Sequence, residues 1–164
     1  VYGQTAFGLA RTLRIDRADA AEFIRAYNAR FPKIETFLQS CIQHAKDHGY
    51  VQTLLGRRRN ITGLDARNPN QRAAAERLAI NSVVQGSAAD LIKRAMRNLD
   101  DRIRRENRPA RMLLQIHDEL VFEVPADALE TERAVIVEEM TGAIELAVPL
   151  KVDTGAGANW MDAK

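Results

Sequence analysis

The sequence has 164 residues, 46% of them apolar, which predicts a packed globular protein and excludes a disordered one. Its single cysteine excludes an internal disulfide framework and fits a reducing compartment. No basic leader is visible at the start, and no apolar run approaches the ~18 residues that cross a membrane. We therefore expect a cytoplasmic protein with no membrane partner. Because the sequence opens on Val1, we also expect it to be a piece of a longer protein.

The net charge is only +2, but the charges are unevenly distributed. Residues 51–111 carry 14 Lys and Arg against six Asp and Glu, whereas residues 118–145 carry nine acids against one base. A basic segment of this kind attracts phosphates, so nucleic-acid binding is one interpretation. The other is that both segments present ordinary solvated helix faces.

The first half of the chain predicts helices followed by a hairpin. Asp16 can cap a helix that Pro32 ends, and Pro32 can open a second helix that Gly49 stops. The apolar positions at helical spacing are Ala20, Phe23, Ile24, Tyr27 and Phe31 in the first helix, and Ile34, Phe37, Leu38, Cys41, Ile42 and Ala45 in the second. Residues 50–61 then predict a hairpin around the glycine at position 56.

The second half predicts a long helix, a second hairpin, a shorter helix and a last strand. The long helix runs from Gln71 to about Arg105, and Gly86 within it costs ~1 kcal/mol relative to alanine, which indicates close backbone approach or a bend. The hairpin covers residues 111–124, the helix 128–146 and the strand 149–154. The expected buried side of the last helix consists of Leu129, Ile136, Val137, Met140 and Ile144. Helices and strands are segregated along the chain, which predicts an α+β fold.

The sharpest chemical feature is His117-Asp118-Glu119, which divides the apolar residues of the second hairpin. Two adjacent carboxylates are costly when buried without partners, but at a hairpin turn they can face a cleft and bind a divalent cation. Hard cations such as Mg²⁺ take carboxylate oxygens and share them with substrate phosphates. The alternative is an ordinary turn whose charges lie in solvent, because Asp is a common turn residue.

A row of polar residues follows one face of the predicted long helix. Arg77, Asn81 and Gln85 are spaced i, i+4 and i+8, so they project together. All three donate hydrogen bonds, and such a row can follow a duplex groove, where acceptors such as purine N3 and thymine O2 lie. A solvated face is the alternative. The run Arg57-Arg58-Arg59 at the first hairpin can likewise bind phosphate or protect an exposed strand edge.

One helix face carries Cys41, His44 and His48 at spacing i, i+3 and i+7. Zinc requires a fourth ligand and none stands out, and Cys41 also fits the apolar stripe of its helix. We therefore favour packing over a metal site for these residues. Neither a glycine-rich phosphate loop nor a serine nucleophile elbow is present in the sequence.

Together these segments resemble family A of the DNA polymerases, essentially from end to end and in the family's order. QIHDELVFEV at 115–124 resembles the palm hairpin, and RAAAERLAINSVVQGSAADLIKRAM at 72–96 resembles the helix that enters the palm. YGQTAFGLA, YVQTLLGRRR and VPLKVDTGAGANW also fit. The resemblance implies the C-terminal part of the fingers over residues 1–70 and of the palm over 71–164, with an antiparallel palm sheet packed against long helices.

The resemblance also implies roles for individual residues. Asp118 is implied to bind metal as one of two essential aspartates, Glu119 to support the catalytic site, and His117 to lie near the primer end. Tyr2 is implied to lie beside the nascent base pair. The residues implied to contact template and primer are Arg77, Asn81 and Gln85, with Arg72 near the template backbone.

The implied reaction is template-directed DNA synthesis, in which a primer 3′-hydroxyl attacks the α-phosphate of a dNTP and pyrophosphate leaves. Two Mg²⁺ ions are implied, shared with upstream residues that this sequence lacks, so we expect the isolated chain to be inactive. We also expect it to be a monomer. A non-catalytic DNA-binding module is the alternative, because the basic segment and the polar row would suffice for it. A metal-dependent phosphohydrolase is disfavoured, since it would require His117 and Asp118 on a helix near further histidines.

Overall fold

The computed structural model describes residues 5–163, which form five α-helices, one 3-10 helix and two β-hairpins. The helices are Ala6–Leu13 (α1), Arg17–Arg30 (α2), Pro32–His48 (α3), Pro69–Arg105 (α4) and Leu129–Thr141 (α5), with the 3-10 turn at Ala126–Ala128. The strands are Tyr50–Gln52 (β1), Arg58–Asn60 (β2), Arg111–Ile116 (β3) and Glu119–Glu123 (β4). The mixed architecture with small antiparallel sheets confirms the predicted combination of helices and hairpins.

The chain divides after Ser87 into two compact units, and α4 contributes residues to both. Tyr2, the predicted nucleotide-site residue, lies outside the described residues. Along residues 5–163, none of the helices combines the length and the apolar character that a membrane crossing demands.

The break between α2 and α3 and the end of α3 lie where the sequence predicts them, whereas α1 was not predicted. Pro32 opens α3, where its missing N–H costs nothing, and Gly49 ends it in the left-handed conformation at φ +75°. Asp16 precedes α2 but its side chain makes no capping hydrogen bond. The predicted buried stripe of α2 is wrong in part, since only Ala20 is buried and Phe23 is 59% exposed.

A cluster of small apolar residues forms the core of the first unit. It joins α3, the first hairpin and the first half of α4, and its members are Ala45, Val51, Ile61, Ala75 and Ala79, with Cys41, Ile42 and Ile80 beside them. Because alanines dominate the α4 side of this cluster, the hairpin can approach the helix closely. That close approach positions the basic residues described below.

The second unit contains the other hairpin. β3 and β4 pair antiparallel from Arg111 opposite Glu123 to Ile116 opposite Glu119, with an irregularity in the register between Met112 and Leu114. No residue of either strand is buried. The packing of this hairpin against long helices therefore stays a prediction.

Two predictions for the end of the chain are wrong. Residues 149–154 form no strand. α5 ends at Thr141, and its buried residues are Val135 and Glu132, whereas the five predicted apolar residues are only half-buried. Glu132 is 2% exposed because Arg108 binds both of its carboxylate oxygens, through Nε at 3.0 Å and Nη2 at 2.9 Å.

Candidate functional site

The acidic turn lies at the tip of the second hairpin. His117 and Asp118 form the turn between Ile116 and Glu119, which face each other across the two strands. His117 has φ +54°, a left-handed conformation that is strained for a residue other than glycine. The Gln115 side chain donates a hydrogen bond from Nε2 to the His117 carbonyl at 2.9 Å, which holds the turn from the strand side.

All three residues of the predicted site are exposed at this turn. Two adjacent carboxylates, Asp118 and Glu119, offer the hard oxygen ligands that Mg²⁺ prefers. Within residues 5–163, no group of three or more His, Cys, Asp or Glu residues gathers closely enough to hold a metal ion. A cation at this turn would therefore take its remaining oxygens from water, substrate phosphate or protein outside the described residues.

The register of the first hairpin separates the three arginines of its basic run. Val51 is paired with Arg59, so these side chains share the face of the hairpin on which Val51 is buried. Arg58 lies on the opposite face, with its guanidinium carbon 4.6 Å from the centre of the Tyr50 ring. Arg57 precedes β2 and donates a hydrogen bond from Nη2 to the Gly86 carbonyl at 3.1 Å. Adjacent arginines thus make different contacts.

A polar cleft of about 350 Å³ lies between this hairpin and α4 within the first unit. Arg57 and Arg59 line it from the hairpin, and Asn81 and Gln85 line it from the helix. Asn81 Oδ1 is buried and has no hydrogen-bond partner among the described residues. A buried acceptor without a donor is costly, so Asn81 Oδ1 is a polar atom for which the described residues supply no compensating donor.

The structure brings together some of the predicted nucleic-acid contacts. Asn81 and Gln85 share the cleft with Arg59, whereas Arg77 is exposed on α4 and does not line the cleft. Arg72 is exposed in the first turn of α4, where its backbone N–H donates to the Asn68 carbonyl at 3.1 Å. The acidic turn belongs to the other unit.

The cysteine and histidines of α3 do not form a zinc site in the described part of the chain. Burial raises the pKa of the Cys41 thiol, which disfavours the thiolate that zinc would bind. His44 and His48 stack with ring centres 4.3 Å apart, and the edge of Tyr50 packs 5.4 Å from His44. These contacts are those of a packed aromatic cluster.

Comparison with known proteins identifies the family to which the chain belongs. A family model described as DNA polymerase family A matches residues 1–162. The chain belongs to DNA polymerase family A. It is 48% identical over all 164 residues to a DNA polymerase I from Lactococcus lactis subsp. cremoris (strain MG1363) and 49% identical over 164 residues to one from Geobacillus stearothermophilus.

The chain spans 19% of the length of each of these DNA polymerase I relatives, at their C-terminal end. It is also similar to the solved structure of the POL domain of Pol1 from M. smegmatis in complex with DNA primer-template and dNTP. That similarity has a TM-score of 0.94 at 42% identity, and it covers 99% of this chain and 29% of the other. The family resemblance of the motifs is confirmed.

Three residues that organise the cleft of this family A chain were not predicted as functional. Ser87 accepts a hydrogen bond from the Leu54 backbone N–H at 2.9 Å, Thr53 is buried beside α4, and Gly86 lies next to both. Only Gly86 carried a sequence signal, since a glycine inside a helix indicates close approach. Nothing about the spacing of Thr53 and Ser87 identifies their contacts, because the partners are separated by more than 30 residues of sequence.

Proposed function

We propose that this chain is the part of a family A DNA polymerase that supplies one metal-binding aspartate and part of the primer–template interface. The whole protein would transfer deoxynucleotides from dNTPs to a primer 3′-hydroxyl. The observation that carries the proposal is the family match over residues 1–162, together with a similar structure that was solved in complex with DNA primer-template and dNTP. The first 70 residues would belong to the fingers and the rest to the palm.

Asp118 and Glu119 fit a Mg²⁺ site by their chemistry. Both carboxylates are exposed at a turn whose backbone is strained at His117 and supported by Gln115. Bound Mg²⁺ would neutralise charge on the transferring phosphate. Asp118 would supply a direct oxygen ligand, Glu119 would reinforce the negative potential of the turn, and His117 would lie near the primer end.

Arg72, Arg77, Asn81 and Gln85 would contact the template and primer from α4. The cleft supports this role for Asn81 and Gln85, since it combines an unpartnered amide oxygen with arginine side chains. Side-chain amides bond groove acceptors and donors, and arginines bond phosphates. Tyr2 would lie at the nucleotide site.

Primer extension tests the catalytic part of the proposal. The protein is extended upstream to the length of its relatives and compared with its Asp118→Ala variant in Mg²⁺ under single-turnover conditions. We expect the variant to lose at least about a hundredfold in rate, equivalent to ~2.7 kcal/mol of transition-state stabilisation. Asp127→Ala is the matched control, because Asp127 is also an exposed acid beside a turn of the same unit.

Two results would contradict this assignment. Equal rates for Asp118→Ala and the parent would remove Asp118 from catalysis. Template-directed incorporation by a homogeneous preparation of the 164-residue chain would show that the chain does not depend on upstream residues. If the extended protein folds and binds primer–template but extends nothing, the non-catalytic DNA-binding module becomes the better interpretation.

A further inference from the structure

The loop between β1 and β2 closes tightly on itself. The Thr53 N–H donates to the Arg57 carbonyl at 3.0 Å, and the Gly56 N–H donates to the Thr53 carbonyl at 2.9 Å. The Arg57 N–H donates to Thr53 Oγ1 at 3.1 Å. Gly56 adopts φ +82°, a left-handed conformation that glycine accepts without strain. Three hydrogen bonds therefore close the loop between the two strands that it joins.

Two hydrogen bonds tie this loop to α4. Ser87 Oγ accepts from the Leu54 N–H at 2.9 Å and donates to the Val83 carbonyl at 2.6 Å. Arg57 Nη2 donates to the Gly86 carbonyl at 3.1 Å. The two bonds attach opposite ends of the loop to adjacent residues of the helix, so they restrain both the distance and the angle of the hairpin.

Gly86 makes this attachment possible. A Cβ atom at position 86 would lie 2.8 Å from Thr53 Cγ2 and 3.4 Å from Arg57 Nη2. The first distance is closer than carbon atoms tolerate, so any residue other than glycine would force the loop or the helix to shift. The helix accepts the ~1 kcal/mol propensity cost of an internal glycine at this position.

The attached hairpin determines which arginine faces the polar row of α4. Because side chains alternate along β2, fixing Val51 against the core also directs Arg59 into the cleft that Asn81 and Gln85 line. A slip of one residue would exchange Arg59 for Arg58. Among the described residues, the Arg59 side chain has no hydrogen-bond or ion-pair partner, so its guanidinium is available to an anion.

We propose that Arg57, Gly86 and Ser87 are positioning residues that hold Arg59 opposite Asn81 and Gln85 for contact with the phosphodiester backbone of DNA. This inference rests on the proposed function, because it assigns the cleft to the primer–template interface. It divides the arginine run by role, with Arg57 holding the hairpin on α4 and Arg59 facing the nucleic acid.

The test measures binding of a primer–template duplex to the extended protein by fluorescence anisotropy. Ser87→Ala removes one attachment without changing any charge, and it should weaken binding by about fivefold, the value of one hydrogen bond. Arg57→Lys, which keeps the charge and can still donate a hydrogen bond, should restore part of the affinity lost in Arg57→Ala. Ser40→Ala is the control, because Ser40 is exposed on α3 and donates to the Phe37 carbonyl of its own helix.

A double-mutant cycle separates positioning from general stability. If Ser87 acts through Arg59, Ser87→Ala should weaken binding in the parent and have no further effect in an Arg59→Ala background. Hydrogen exchange at the Leu54 amide should accelerate in both backgrounds, which shows that the attachment is broken in each. These two results together support the inference.

Other outcomes overturn it in distinguishable ways. If Arg59→Ala weakens binding but Ser87→Ala does not, the positioning role fails and the proposed interface stands. If Ser87→Ala and Arg59→Ala weaken binding additively, Ser87 acts through general stability and positioning fails. If Arg59→Ala leaves affinity unchanged while Asp118→Ala abolishes extension, the assignment of this cleft to DNA fails although the polymerase function holds.

Discussion

The two hairpins of this chain present opposite charges, and they differ in how far their residues are buried. The basic hairpin buries Val51 to 1% exposure and is bonded to α4 through Ser87 and Gly86. The acidic hairpin has no buried residue in either strand. The positive-φ residue is a glycine in the first loop and a histidine in the second.

This difference shows two ways to hold charged side chains in place. Apolar burial and strand register fix the direction of each arginine in the first hairpin. In the second unit, ion pairs connect α5 with the end of α4 and the residues that follow it, since Arg102 binds Glu106, Glu138 and Glu139 while Arg108 binds Glu132. The contacts of the first hairpin should therefore respond most to changes in packing, and those of α5 to changes in charge.

The largest effect is expected from Glu132→Ala in the second unit. The substitution removes the bidentate partner of Arg108, whose side chain is 16% exposed, and leaves it the Glu106 carboxylate alone, so the free energy of unfolding should fall by more than for any exposed pair of this unit. Urea unfolding followed by circular dichroism measures it. The control is Glu130→Ala on the same helix, whose carboxylate pairs with Arg133 at an exposed site and should change stability by less than ~1 kcal/mol. If Glu132→Ala lowered the free energy of unfolding by no more than the control, the Arg108–Glu132 pair would not stabilise the fold.

The next effect, Gly86→Ala, tests packing in the first unit. The added methyl group meets Thr53 Cγ2, so stability should fall by about 1–2 kcal/mol although alanine is the better helix former. Ala88→Gly on the exposed side of the same helix is a control for propensity alone. Faster hydrogen exchange at Leu54 would locate the damage at the hairpin, whereas a stabilised protein would contradict the close approach.

The contrast between units also explains how far the sequence could predict the structure. Local signals were sufficient for the boundaries of α3 at Pro32 and Gly49 and for both hairpin turns. The buried side of α5 was mispredicted because Glu132 is buried by an arginine 24 residues away, which no periodicity reveals. The candidate cleft was half predicted, since the helical row was visible but its pairing with Arg59 depends on contacts distant in sequence.

The two turn residues with positive φ should respond in opposite directions. His117→Gly relieves left-handed strain but adds freedom to the unfolded chain, so stability should rise by about 0.5 kcal/mol. Gly56→Ala at φ +82° should lower it by about 1 kcal/mol. Hydrogen exchange of each hairpin measures the change locally. If both substitutions raised stability, or both lowered it, the assigned turn conformations would be contradicted.

The smallest effect is a pH dependence carried by Glu106, whose side chain is 32% exposed. Hydrogen bonds from Arg108 and then Arg105 hold the pKa of the Glu106 carboxyl below its ordinary value. Because the folded-state pKa is the lower one, the carboxylate stabilises the folded chain above the unfolded-state pKa, and that contribution is lost as pH falls through the folded-state pKa.

Glu106→Gln should therefore be less stable than the parent at neutral pH, and the difference should vanish in acid. Urea midpoints measured across this range test it against Glu145→Gln, since Glu145 has no ion-pair partner among the described residues. If Glu106→Gln were less stable than the parent by the same amount at every pH, the amide would be perturbing packing and the charge of Glu106 would contribute nothing to stability.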